Sequence, residues 1–159
     1  MADITTSERK NEFIRLLYSN PTIFTLIDSA TAETGIDLVN HNIFPRIKID
    51  FTIEDAGTYI GLKIDYPSIT SNEDFKNCVV TFMIISHIKH IQTDSGNSRT
   101  DLLAEEIIKM FNFNYDSEFT LKLEKDVEDP FDKTFYYRRL TFSTLAINSL
   151  DNKMNNGVR

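Results

Sequence analysis

Residues 43–111 read IFPRIKIDFTIEDAGTYIGLKIDYPSITSNEDFKNCVVTFMIISHIKHIQTDSGNSRTDLLAEEIIKMF: three strand-like runs followed by one amphipathic helix. In the first run, 46–53, Ile47, Ile49, Phe51 and Ile53 alternate with Lys48, Asp50 and Thr52, the pattern of a half-buried strand. Glu54, Asp55, Ala56 and Gly57 supply a turn, and 58–66 alternates again through Ile60, Leu62, Ile64 and Tyr66. Two such runs joined by a short glycine-containing turn predict an antiparallel hairpin. Pro67 is expected to end the second strand, leaving 68–77 as a polar loop. The third run, 78–91, holds a central strand over 79–90. Its first half is apolar on both faces, which requires cover on both sides. Its second half, Ser86 to His90, turns polar and is expected to protrude past the sheet. Ser98 then precedes Asp101 at the spacing of a capping box, just ahead of Leu102, Leu103, Ile107, Met110 and Phe111, which predicts a helix over 99–111.

Outward from this stretch, Thr6 or Ser7 suits the cap of a first helix running to about Tyr18, with Phe13, Ile14, Leu16 and Leu17 as its apolar stripe. Asn20 and Pro21 stop it and start a short second helix, as cap and first helical residue. Residues 29–42 read as a connecting loop. Residues 119–123 and 134–147 read as two closing strands, with the acidic 124–133, which contains Pro130, as the loop between them. Five strands and a few helices make an α+β chain. The end, 149–159, lacks apolar periodicity and is expected to be a mobile tail on one domain spanning 1–148.

A chain of 159 residues fits a single domain that buries a core without a disulfide or metal. Cys78 is the only cysteine and lies in an apolar run, so it reads as a buried, inert thiol, which fits a reducing compartment. The N-terminus has neither the basic start nor the apolar core of a signal peptide, and no apolar run is long enough to cross a bilayer, so folding in a cytoplasm is expected. The net charge of −7 disfavours a protein that grips phosphates but suits a surface that DNA passes without sticking.

No residue cluster announces chemistry. His87 and His90 stand three apart on the predicted strand, so they point to opposite faces and do not share a metal with His41. Asp65, Asp74 and Lys76 resemble the carboxylates and lysine of metal-dependent nucleases, which place two carboxylates on Mg²⁺ and a lysine near the attacking water. Here the Asp-x-Lys falls in a predicted loop and lacks the strand that gives such a motif meaning. The acidic group Glu124, Asp126, Glu128, Asp129 and Asp132 lacks the ladder of a calcium loop and reads as solvated. Phe135, Tyr136 and Tyr137, followed by Arg138 and Arg139, would stack bases with at most half of their side chains, because a strand alternates them between faces. No catalytic, cofactor-binding or metal residue is assigned, and no enzyme activity is expected.

Several short strings, in order, carry a resemblance over about 12–147: NPTIFTLI at 20–27, IFP at 43–45, TYIGLKIDYP at 58–67, VVTFMIISH at 79–87, RTDLLAEEIIKMF at 99–111 and RRLTFSTLAIN at 138–148. Together they resemble the phage tail terminator, or tail completion, family of head–tail joining proteins. The chain departs from shorter members in its longer loops at 29–42 and 116–133. The resemblance implies a mixed, mostly antiparallel sheet of about five strands with helices packed on one face. It implies a virion protein of the neck, assembled in the host cytoplasm and forming a hexameric ring on the end of the tail tube. Its partners would be other copies of itself, the tube protein and the head-completion or connector protein, with DNA passing through the lumen and no membrane involved. A head-closure or adaptor protein is the alternative within the same class. A Mg²⁺-dependent nuclease on Asp65, Asp74 and Lys76, or a small ligand-binding α+β domain, is the alternative outside it.

Overall fold

The computed structural model describes residues 5–47, 56–114, 120–130 and 132–147. Within them lie helices α1 (Thr6–Ser19), α2 (Pro21–Ile27) and α3 (Arg99–Phe111), a 3₁₀ turn at Gly35–Leu38, and five strands. The strands are β1 (Ile43–Phe44), β2 (Thr58–Ile69), β3 (Phe75–His87), β4 (Lys122–Pro130) and β5 (Phe135–Ile147). They form one mixed sheet in the order β1-β2-β3-β5-β4, antiparallel except for the β1–β2 pair. The chain is therefore α+β, and the run read as central is the middle strand. The expected tail at 149–159 lies outside the described residues.

Alternation along β3 sends Val80, Phe82 and Ile84 to one face, joined there by Leu140 and Phe142 of β5 and by Ile60, Leu62 and Ile64 of β2. Phe13, Ile14 and Leu17 of α1, Ile23 and Ile27 of α2, and Leu103, Ala104, Ile107 and Phe111 of α3 belong to the same apolar cluster. Phe82 is its centre, fully buried, stacked on Phe111 at 5.2 Å and edge-on to Phe142 and Phe13. On the other face a smaller cluster of Phe44, Tyr59, Ile85 and Phe135, with Met83 and Tyr137 at its margin, contains no helix residue. On this face the apolar cover reaches Ile85, with Met83 at its margin, so the expected cover on both sides holds for that part of β3.

Local chemistry starts the helices. Thr5 caps α1 through a reciprocal box with Glu8, and these bonds hold the Glu8 carboxyl below its usual range. Asn20 Oδ1 accepts from the Thr22 and Ile23 amides at the start of α2, with Pro21 at the first helical position. α3 spans the expected residues, but its capping box does not form. Ser98 Oγ pairs with Thr100 Oγ1, and the Asp101 carboxylate turns to Arg138 instead.

Several further expectations are corrected. Residues 45–47 are bends, and 48–53 of the proposed hairpin strand lie outside the described residues. The antiparallel partner of β2 is β3, while Ile43–Phe44 runs parallel to it. β2 continues through Pro67 to Ile69, because the register shifts between Asp65 and Ser68 and the ladder needs no proline N–H there. The polar loop before β3 shrinks to residues 70–74, and the supposed protrusion beyond Ser86 folds back as a turn, with the His90 amide on the His87 carbonyl. Most of the acidic stretch is β4 itself, paired with β5, so the strand expected at 119–123 sits later in the chain.

Candidate functional site

The residues weighed for chemistry do not converge. His41 is exposed in a turn. His87 ends β3, accepts from the Lys89 amide and meets Phe135 edge-on at 5.1 Å, while His90 turns towards Thr58. Asp65 pairs with Lys63 at 3.0 Å, Asp74 accepts from Asn72 in the exposed 70–74 turn, and the Lys76 ammonium lies 4.0 Å from the centre of the Tyr66 ring. Register places Asp65 opposite Val79 on one face, whereas Lys76 shares the face of Cys78, so the nuclease triplet is split by the sheet. Among the described residues no three of His, Cys, Asp and Glu could hold a metal ion. Cys78 is buried, and burial pushes its thiol up despite the nearby Arg9.

The aromatic–arginine stretch divides as alternation demands. Phe135 is buried, Arg139 is exposed on the face opposite the helices, and Arg138 turns to the helical side. There the Arg138 guanidinium donates to Asp126 at 2.7 and 3.0 Å and to Asp101 at 2.7 Å, with Glu128 3.7 Å away. These carboxylates raise its pKa above the usual guanidinium range. Arg138 therefore ties α3 to the edge strand and is not free to meet a ligand.

Two features stand out. The first is the sheet face that no helix covers among the described residues, the helix-free face. Cross-strand register lines it with Lys63 of β2, Thr81 and Met83 of β3, Thr141 and Arg139 of β5, and Lys122, Lys125 and Val127 of β4. Among the described residues, register places Lys63, Lys122, Lys125 and Arg139 on it against Asp65, Glu124 and Asp129, a slight basic excess in a chain of net charge −7. The backbone leaving β1 crosses this face at Gly61, where a Cβ would come within 2.7 Å of the Arg46 carbonyl oxygen. Arg46 itself stacks over Phe44 at 5.5 Å.

The second is a polar cluster on the helical side, at the end of the sheet where β2 starts and β3 finishes. Thr58 Oγ1 lies 2.8 Å from both Ser86 Oγ and His90 Nδ1. His90 Nε2 faces Asp28, the left-handed C-cap of α2, at 3.7 Å. Arg99 donates to the Leu26 carbonyl at 2.6 Å and the His90 carbonyl at 2.8 Å and stands 3.8 Å from Asp28. Burial, reinforced by Arg99, holds the His90 pKa below the usual histidine value against the pull of Asp28. The arrangement mimics a nucleophile–histidine–acid relay, but both hydroxyl residues are fully buried, so no substrate reaches them. Its members come from four separate elements, and no spacing in the sequence marks them.

A family model described as YomW matches residues 10–144, and the chain belongs to that family, a phage-associated one. None of the curated proteins matches it. No helix among the described residues is long and apolar enough to cross a membrane.

Proposed function

We propose that this phage-associated protein is a tail terminator: a structural virion component, without enzyme activity, that closes the tail tube as a hexameric ring and joins it to the head connector. The observation that carries this reading is the helix-free sheet face, which has a slight basic excess in an acidic chain. Because Lys63, Lys122, Lys125 and Arg139 concentrate positive charge there, the rest of the surface is more acidic than the net −7 implies. Such a molecule attracts its own kind head to tail, basic face against acidic surface, and a heterologous contact of that sort closes into a ring when the rotation fits. Family membership and the order of strands and helices support the same reading. Closing the tube is then an act of assembly: a ring on the last tube layer blocks the next tube subunit and offers its second face to the head. An overall acidic ring lets DNA move through its lumen without being held.

The test is polymerisation of purified tube protein with and without this chain. The reading predicts shorter tubes with the wild type and unlimited tubes with Lys125→Glu/Arg139→Glu, whose reversed charges repel the acidic neighbour. Tubes of equal length in all three samples would sink it. A Mg²⁺-dependent cleavage of DNA lost in Asp74→Ala would point instead to the nuclease.

A further inference from the structure

We propose that His90, Thr58 and Ser86, with Asp28 and Arg99, form a pH-sensitive latch that fastens the start of β2 to the helical layer while His90 is neutral and releases it when His90 is protonated.

The hydroxyl chain has a direction, and the direction depends on the proton. With His90 neutral and its N–H on Nε2 facing Asp28, Nδ1 accepts from Thr58 Oγ1, and Thr58 Oγ1 accepts from Ser86 Oγ. Every hydroxyl hydrogen then has a partner. Protonation puts a hydrogen on Nδ1, so His90 now donates to Thr58 Oγ1. One hydrogen bond then remains between the two hydroxyls, and whichever of them donates in it, the hydrogen of the other needs a new acceptor. Thr58 and Ser86 are both fully buried, and among the described residues their side chains have no further partner, so one buried donor is left unpaired.

The charges around the ring push both ways. Arg99, from α3, opposes an imidazolium and Asp28, at the end of α2, favours one. β2 and the end of β3 contribute only the hydroxyls of Thr58 and Ser86, and Lys89 and His87 flank His90 along its own turn. Asp28 is largely exposed, so water screens its pull, whereas Arg99 is mostly buried beside the ring. The Arg99 bonds to the Leu26 and His90 carbonyls involve no titrating partner and persist in both states. Protonation therefore loosens the Thr58 side of the node and leaves the α2–α3 side in place. Thr58 is the first residue of β2 and pairs with Ser86 of β3, so the latch governs how firmly the start of that strand is held.

The experiment follows the three histidine side chains of the full chain by NMR between pH 8 and 4.5, together with amide exchange. His90 should protonate below the ordinary histidine value of about 6.5. The protection factor of the Ile60 amide, which donates to the Asn42 carbonyl beside the latch, should fall at least tenfold through that titration, while that of Phe82 in mid-sheet holds. His90→Asn keeps an acceptor near the Nδ1 position without a titrating group and should lose the pH step. Asp28→Asn, on an exposed side chain, should move the His90 titration to still lower pH, which keeps the proposal testable should His90→Asn fail to fold. A His90 that titrates at or above that ordinary value, a pH step that survives His90→Asn, or an Asp28→Asn variant with an unmoved titration would overturn the latch.

Discussion

The two faces of the sheet are built by different rules. The helical side is a single apolar cluster drawn from three helices and three long strands, closed at its margin by Arg138 gripping Asp101 and Asp126. Among the described residues the helix-free side has four buried apolar residues at one end and lysine, arginine and hydroxyl groups, with fewer carboxylates, over the rest. One face has spent its apolar surface on folding. The other, among the described residues, leaves its charges exposed. Stability should therefore track substitutions on the first face, and assembly those on the second.

The sharpest way to break this contrast is to empty the helical side. Phe82→Ala should cost about 3–5 kcal/mol, because a fully buried ring in contact with three others leaves a cavity that helices and sheet cannot collapse into. Denaturant titration reads it, and a loss under about 1 kcal/mol would mean that Phe82 is not the centre of the core. Gly61→Ala tests the crossing on the other side. Its methyl would press on the Arg46 carbonyl, and overpacking of that kind costs about 1–3 kcal/mol, visible as a lowered denaturant midpoint. Lys125→Glu/Arg139→Glu should change stability by no more than about 0.5 kcal/mol, as exposed substitutions do, while removing the effect on tube length. Equal loss of stability and of assembly would erase the distinction between the faces.

A pH series adds a smaller effect on the helical side. His90 titrates below its unfolded value, so its share of stability is fully present above the unfolded histidine pKa, near 6.5. That share declines as pH falls from there through the lowered folded value. Thermal melts between pH 7.5 and 5 should show the decline in the wild type and a shallower one in His90→Asn.

What the sequence made legible follows from range. Period-two alternation in β2 and β3, the helical stripe of α3 and the Asn20–Pro21 start of α2 are written in adjacent residues, and each stands close to where local chemistry puts it. The misreadings share one cause, a partner far away in the chain. The charges of β4 read as loop because the arginine that takes up Asp126 lies on β5. The Ser98–Asp101 capping box is broken by that same arginine. Pro67 reads as a strand end because a register shift that accommodates it leaves no mark in the sequence. The candidate sites follow the same rule. A basic face emerges only when four strands are laid in register, and the His90 cluster only when four elements meet.

The most direct measurement is electron microscopy of the full chain mixed with tail tubes of a phage that encodes it. The account predicts six-fold rings seated on one end of each tube, absent in Lys125→Glu/Arg139→Glu. Bare tube ends beside monomeric protein at saturating concentration would contradict it.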